Sequence, residues 1–167
     1  MTCKNAIAIL KGTGVNGIVA FHQCLGHDHV RVQIQLSGMT PFAVHAIHIH
    51  EYGDEREGCK SLGGHWNPTG ETHGSIWVPS RPRHSGDLIN NIEADRDGRF
   101  EYAYNDTRLE LFGDVDDTII GRSIVVHQGV DDLGLGDDPE SLVTGNAGAR
   151  MGCAIIGLAK SGPYLGQ

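Results

Sequence analysis

The sequence lacks the long apolar segments that define membrane proteins. No run approaches the ~20 apolar residues that a membrane-spanning helix needs, and the first apolar run, 6–10, ends at Lys11. This run is also too short for the apolar part of a signal peptide with a cleavage site. No window of useful length repeats its apolar residues with the period of a helix. We therefore expect no membrane association, no helical bundle and a cytoplasmic location.

Positive charge is scarce as well. The 167 residues include 13 Lys and Arg against 21 Asp and Glu, which gives a formal net charge of −8 when the 10 His are neutral. Nucleic acids and anionic membrane surfaces both require a basic binding face, so neither is an expected partner. The same net charge should repel a small anionic substrate.

Closely spaced cysteine pairs are absent. The four cysteines stand at positions 3, 24, 59 and 153, and none forms the Cys-x-x-Cys motif of thiol redox and zinc-binding domains. In a cytoplasmic protein, free thiols are the first expectation for such cysteines.

Short alternating segments are the dominant positive signal. Four aliphatic residues alternate with polar ones over 30–37, which is typical of a strand with one buried face. Together with the 24 Gly, which indicate frequent turns, about eight short strands predict an all-β antiparallel sandwich or barrel. The length suits one domain, 1–167. The other expected strands lie at 6–10, 18–21, 44–50, 89–94, 99–104, 123–127 and 153–158.

Two segments are too long for simple turns between such strands. The first, about 51–86, is rich in Gly, His and Pro, and the second, about 128–150, is rich in Gly and acidic residues. Long loops within a compact domain are usually functional or disordered. We therefore looked for chemistry in and beside them.

The histidines supply that chemistry. His48 and His50 stand two residues apart on an expected strand, so their side chains share one face and could grip one metal ion. Alone, this pattern fits a polar strand face equally well. His127 ends another expected strand, where a lone histidine is more often packed or capping than a ligand.

A second group of candidate ligands lies in the first long loop and its end. His65, His73, His84 and Asp87 offer three imidazoles and one carboxylate, a set that suits tetrahedral zinc. The alternative is a solvated, histidine-rich loop. Together with His48, His50 and His127, these residues could form one imidazole-only site and one mixed site. Imidazole ligation suits copper, although zinc and nickel also accept it.

The order and spacing of these motifs resemble the copper–zinc superoxide dismutases from about residue 4 to residue 159. The family has a Greek-key sandwich fold, so the resemblance implies an eight-stranded antiparallel Greek-key sandwich with two long functional loops. The similarity is carried by HIHEYGD at 48–54, GHWNP at 64–68, HSGDL at 84–88, VVH at 125–127, DDLG at 131–134 and GNAGAR at 145–150.

The resemblance also assigns ligands. It implies copper at His48, His50, His65 and His127, and zinc at His65, His73, His84 and Asp87, with His65 bridging the two ions. Asp131 would link a copper ligand, His48, to a zinc ligand, His73. Arg150 would hold superoxide beside copper.

The family's disulfide falls on Cys59 and Cys153 in this sequence. The resemblance gives Cys3 and Cys24 no partner, so we expect both to stay reduced. It further implies a copper chaperone as a partner and a homodimer. The dimer face would include Tyr52, Gly53, Ile120, Gly121 and Leu158.

The implied activity is antioxidant: superoxide is dismutated to dioxygen and hydrogen peroxide, with His65 gaining and donating a proton. The alternatives are a metal carrier, such as a chaperone domain or a buffer, and a purely structural sandwich. One departure from the family bears on rate. Lysines usual in the second loop are replaced by Gly129 and Val143, and acids are added at Asp137 and Asp138. We therefore expect weaker electrostatic attraction of superoxide.

Overall fold

The computed structural model describes residues 2–160, and within these residues the chain folds into ten strands. The strands are β1 (Cys3–Leu10), β2 (Asn16–Cys24), β3 (Val30–Ser37), β4 (Val44–His50), β5 (Arg56–Cys59), β6 (Asn90–Glu93), β7 (Phe100–Asp106), β8 (Ser123–His127), β9 (Arg150–Ile155) and β10 (Gly157–Leu158). One sheet has the order β10-β1-β2-β3-β7 and the other β6-β4-β8-β9. All pairings within the two sheets are antiparallel.

The core lies between the two sheets. Alternate residues of β3 are buried, as the pattern over 30–37 predicts, and they pack with the apolar faces of β1, β2, β4 and β8. The all-β sandwich is therefore confirmed. The single-domain prediction for 1–167 extends beyond the described residues and stays a prediction.

Two strands differ from the expected ones. The segment 153–158 is divided between β9 in one sheet and β10 in the other, with the buried Ile156 at the crossing. The Ile156 amide donates to the Arg122 carbonyl at 2.8 Å. β5 was not expected, because Arg56–Cys59 has no alternation of apolar and polar residues.

Three long connections leave the sandwich. The first, 51–89, carries β5 and two 3-10 turns, Lys60–Leu62 and Ser85–Asp87, and the second, 128–149, carries the four-residue helix α1 (Ser141–Thr144). The third, 107–122, was not predicted as a long loop; it buries three aliphatic residues in the core: Leu109, Leu111 and Ile119. Within residues 2–160, no helix has the length and apolarity needed to cross a membrane.

All four cysteines are paired, which corrects one expectation. The expected disulfide joins Cys59 to Cys153 and so ties the first loop to β9. The expectation that Cys3 and Cys24 stay reduced is wrong. In the ladder between β1 and β2, Cys3 lies opposite Cys24, the Cα atoms are 3.9 Å apart, and the sulfurs are bonded. This contact depends on strand register, which the cysteine spacing alone does not reveal.

Candidate metal centre

Two neighbouring strands place three histidines at one end of the four-stranded sheet. His48 and His50 lie on one face of β4, while Ile47 and Ile49 enter the core. β8 pairs with β4 and ends at His127, where the register of its pairing with β9 shifts. Such bulges often occur beside active sites, where they reorient a side chain.

The first long loop adds a fourth imidazole. An isolated bridge pairs His65 with His50, and hydrogen bonds continue this pairing on both sides, from Trp66 N to Ile49 O and from Glu51 N to Gly64 O, each 2.9 Å. The first ligand set is thereby complete. Its candidate ligand atoms all lie within 4.8 Å of one another, one each from His48, His50, His65 and His127.

In three of these histidines, the ring nitrogen that faces away from the centre of the set, here called the outer nitrogen, already has a hydrogen-bond acceptor. His50 Nδ1 donates to the Gly63 carbonyl and His127 Nδ1 to the Gly148 carbonyl, each at 3.0 Å. His48 Nε2 lies 2.6 Å from Asp131 Oδ2. Such outer bonds fix the tautomer of a metal-binding histidine.

The inner nitrogens are left without protons or ordinary partners. His50 Nε2 and His127 Nε2 are only 3.2 Å apart, and the buried His48 Nδ1 has no hydrogen-bond partner at all. Buried polar atoms are rarely unpaired. A metal ion among these nitrogens accounts for both observations, so the first set fits a metal that accepts imidazole.

The second ligand set surrounds one carboxylate oxygen. Asp87 Oδ1 lies 3.0 Å from His65 Nδ1, 2.9 Å from His73 Nδ1 and 3.1 Å from His84 Nδ1. Ligands about 2.0–2.1 Å from a tetrahedral zinc ion stand roughly 3.3 Å apart, so these four atoms need little movement to bind zinc. The other oxygen, Oδ2, accepts the backbone N–H groups of Gly74 at 3.0 Å and His84 at 2.8 Å.

The two sets share one residue and are linked by another. His65 belongs to both; because its Nδ1 lies in the second set, Nε2 is the atom that can serve the first. Asp131 connects the sets through Oδ2 to His48 Nε2 and through Oδ1 to His73 Nε2, the latter at 2.9 Å. The structure thus brings together all eight residues that the resemblance assigns to the two metals and their link.

Sequence reasoning missed the residues that hold Asp131. Asn90 Nδ2 donates to Asp131 Oδ2 at 3.0 Å, and the Asn91 amide bonds both the N–H and the carbonyl of Asp131. Asn90 is buried at a φ of 61°. An Asn-Asn pair inside an expected strand was the available signal, because asparagine disfavours strands and tolerates this conformation.

The surroundings lower the pKa values of the first-set histidines but raise that of His73. Burial lowers the pKa of His48 to about 3 and that of His127 to about 4, and it also lowers the pKa values of His50 and His65. The first set is therefore neutral at pH 7 and ready to bind a metal. For His73, burial acts against the charged form, but the hydrogen bonds to Asp131 and Asp87 outweigh it and raise the pKa to about 9.

Comparison with known proteins identifies the family. Residues 15–156 match the family model described as copper/zinc superoxide dismutase. The chain belongs to the copper/zinc superoxide dismutase family. The superoxide dismutase of Paramecium bursaria Chlorella virus 1 is 47% identical over 156 residues, which cover 93% of this chain and 79% of the viral protein. The extracellular superoxide dismutase of Onchocerca volvulus is 43% identical over 93% of this chain and 77% of its own length.

A solved structure shares the fold. The clock protein EA4 superimposes with a TM-score of 0.84 and 36% identity, over 95% of this chain and 97% of that one. The expected family, Greek-key fold and enzyme class are confirmed. The protein dismutates superoxide and uses copper and zinc.

In this superoxide dismutase the first ligand set opens into a cavity of about 300 Å³. Arg150, the first residue of β9, pairs with His127 across the ladder and lines this cavity. Its guanidinium donates to the carbonyls of Cys59 and Gly63, each at 2.5 Å. Because the Gly63 carbonyl also accepts His50 Nδ1, one carbonyl positions both the arginine and a histidine of the first set.

Acidic and polar side chains share the cavity mouth. Glu140 and Thr144 line it and are hydrogen-bonded at 3.1 Å, and Asn146 beside them bonds Asp138 at 2.9 Å. Among the described residues that line the cavity, Arg150 is the only Lys or Arg. The expected weaker attraction of superoxide stays a prediction.

Proposed function

We propose that the first ligand set holds copper, that the second holds zinc, and that His65 bridges them. The proposal rests on the hydrogen bonding of the first-set histidines. In His48, His50 and His127, one ring nitrogen is bonded to an oxygen acceptor and the other points toward the centre of the set. The strongest single observation is that the buried His48 Nδ1 has no hydrogen-bond partner. The second set supports zinc because it combines three imidazoles with a carboxylate and is closed, as structural zinc sites are.

Three residues in and beside the first ligand set have proposed roles in the reaction. The redox chemistry would be supplied by copper, which can accept an electron from one superoxide and give it to the next. Arg150 binds the anion, because its guanidinium is fixed beside the first set and is charged at every physiological pH. His65 Nε2 takes up and donates a proton, while its Nδ1 stays in the zinc set. Asp131 keeps His48 and His73 in one tautomer and orientation.

A dismutation assay combined with metal analysis tests these assignments. His48→Ala should lower copper content and reduce activity by about 100-fold or more, since the metal supplies the chemistry. His27→Ala, which removes an exposed histidine outside both sets, should retain both metals and full activity. Full activity in His48→Ala would refute the proposed copper set.

We also propose a homodimer that uses the expected face. Tyr52 is 52% exposed and Leu158 is 69% exposed, and Gly53 allows close approach of the chain to the Gly121 carbonyl. Leu158→Glu should shift sedimentation toward monomer at low protein concentration. Leu25→Glu, at another leucine that is 61% exposed, should leave the oligomeric state unchanged; equal behaviour of the two variants would contradict this face.

Two further expectations stay predictions. A copper chaperone would be revealed if copper occupancy of the expressed protein falls in cells that lack one. The cytoplasmic location is opposed by the second disulfide, because disulfides are rare in reducing compartments, and by the extracellular relative. Cell fractionation with detection of the native protein decides the location.

A further inference from the structure

A third group of possible ligands lies on the outer face of the five-stranded sheet. In the ladder between β1 and β2, Cys3 pairs with Cys24 and Asn5 pairs with His22. Because alternate residues of a strand share a face, these four side chains form one compact patch. The sulfurs of the two cysteines and one nitrogen of His22 all lie within 4.8 Å of one another.

His22 is oriented as a metal ligand would be. Its Nδ1 lies 2.7 Å from Asn5 Oδ1, and its Nε2 lies 3.4 Å from Cys24 Sγ. An amide oxygen only accepts hydrogen bonds, so Nδ1 carries the proton and Nε2 presents its lone pair to the sulfurs. Fixing the tautomer through the opposite ring nitrogen is the arrangement found in protein metal sites.

We propose that reduction of the Cys3–Cys24 disulfide creates a site that binds Cu(I) through both thiolates and His22 Nε2. A dithiol reductant transfers two electrons and two protons to the disulfide, giving two thiols and the oxidised reductant. Binding of one Cu(I) then releases both thiol protons to solvent. In the oxidised protein the sulfurs are bonded to each other, so the site is closed.

The ligand types select the metal. Thiolates are soft ligands that favour Cu(I), which accepts a three-coordinate sulfur and nitrogen environment. The site differs from the copper and zinc sets in both place and chemistry: it lies on β1 and β2 of the five-stranded sheet, whereas the first set is carried mainly by β4 and β8 of the other sheet. It does not depend on the residue roles proposed above.

The two disulfides differ in access to a reductant. Cys3 is exposed and Cys24 is buried, so a reductant would reach this pair at the Cys3 sulfur, whereas Cys59 and Cys153 are both half-buried. Thiol–disulfide exchange requires the attacking thiolate to reach a sulfur, so Cys3–Cys24 should open first. A low concentration of reductant can therefore reduce the Cys3–Cys24 disulfide while the Cys59–Cys153 disulfide stays oxidised.

The experiment uses the copper- and zinc-loaded enzyme under anaerobic conditions. After mild dithiol treatment, alkylation and mass spectrometry select the condition in which only Cys3 and Cys24 are modified. Cu(I) is then titrated against a chromogenic Cu(I) chelator of known affinity. Reduced enzyme should hold one additional equivalent of copper, and oxidised enzyme none. Absence of an additional equivalent in the reduced enzyme overturns the proposal.

Variants separate the three ligands from nonspecific binding. Cys3→Ser replaces an exposed residue and should abolish the additional equivalent, and His22→Ala should weaken it about tenfold or more, as removing a ligand of three would. His29→Ala, in the turn before β3, should bind as the unaltered enzyme does. Retention of full affinity in His22→Ala, or of the equivalent in Cys3→Ser, would also overturn the proposed site.

Discussion

The two ligand sets share His65 but are built in different ways. Most of the first set stands on β4 and β8, whose ladder and buried apolar faces hold the backbone in place. The second set belongs to the first long loop, and its members are held mainly by polar bonds that converge on Asp87. His50, His65 and His127 of the first set line a cavity, whereas the second set contributes only the shared His65 to that lining.

The two sets therefore differ in what holds their side chains in position before a metal binds. Sheet pairing can keep His48, His50 and His127 in position without a metal, since the strands are stabilised by the core. The second set lacks such support, and a metal at its centre would fasten the loop. Besides the shared His65, Asp131 and the asparagines that hold it connect the two sets by hydrogen bonds.

Removing the central carboxylate should have the largest effect. Asp87→Ala deletes a charged ligand and leaves the backbone N–H groups of Gly74 and His84 without their acceptor, at about 1–3 kcal/mol each. We expect zinc affinity to fall by more than the roughly 10–100-fold typical of losing an outer partner. Zinc content and the melting temperature should both fall, while copper still binds.

An acid elsewhere provides the control for this comparison. Asp97→Ala, in the exposed turn before β7, should leave both metals and the melting temperature unchanged. If Asp87→Ala lost copper as completely as zinc, the strands would not support the first set independently, and the contrast between the two sets would be wrong.

The metal-free protein should lose stability on both sides of neutral pH, for opposite reasons. His48 and His127 have pKa values lowered from 6.5 to about 3 and about 4, so unfolding takes up protons below pH 6.5 and stability falls with acid. His73 has a pKa raised to about 9; its stabilisation is complete below pH 6.5 and is lost as pH rises through 9. Each such histidine changes the unfolding free energy by about 1.4 kcal/mol per pH unit within its window.

Denaturant unfolding of the metal-free protein across pH 4–10 measures the loss of stability on the acid and alkaline sides, which are the two limbs of the pH profile. His127→Gln should flatten the acid limb alone and His73→Gln the alkaline limb alone. Identical pH profiles for the two variants would show that the sets do not differ in this way. Below about pH 4, protonation of Asp87 and Asp131, whose pKa values are lowered despite burial by hydrogen bonds from histidines, should destabilise the protein further.

The strand residues of the first ligand set were more predictable from sequence than the residues that hold the two sets in place. Alternation located β3, β4 and β8, and a two-residue spacing placed His48 and His50 on one face because strand geometry is regular. Residue type alone marked the loop ligands as a possible zinc set, but their assignment to particular metals and the role of Arg150 followed only from the family resemblance, since loop geometry has no period. Asn90, Asn91 and the Cys3–Cys24 disulfide were missed, because they depend on register and on a backbone conformation that no local pattern encodes.

The hydrogen bond between Asp131 and His73 can be disturbed by adding a methyl group at Gly145, without removing any polar group. Gly145 has a φ of 64°, and a Cβ there would lie 2.4 Å from both Asp131 Oδ1 and His73 Nε2. Gly145→Ala should therefore separate these atoms and lower zinc affinity by about 10–100-fold, the range for a lost outer partner. Gly148→Ala is the matched control: its φ is 75°, but the nearest atom to its Cβ is 4.0 Å away. Equal zinc affinity in the two variants would show that backbone strain, rather than the Asp131–His73 bond, sets the affinity.

The smallest expected effect concerns the cavity, where only the first set meets the solvent. Val143 is 56% exposed on α1, beside the cavity-lining Thr144, and Val143→Lys would add a second cation near Arg150. Because a positive charge near the mouth raises the encounter rate with an anion, kcat/KM should rise about two- to fivefold at low ionic strength and converge with that of the unaltered enzyme at high salt. Val115→Lys adds the same charge at an 80% exposed position in the loop 107–122. An equal gain in both variants would mean that net charge, rather than charge at the mouth, limits the rate. Zinc content should not change in either variant, because His65 is the only member of the second set among the residues that line the cavity.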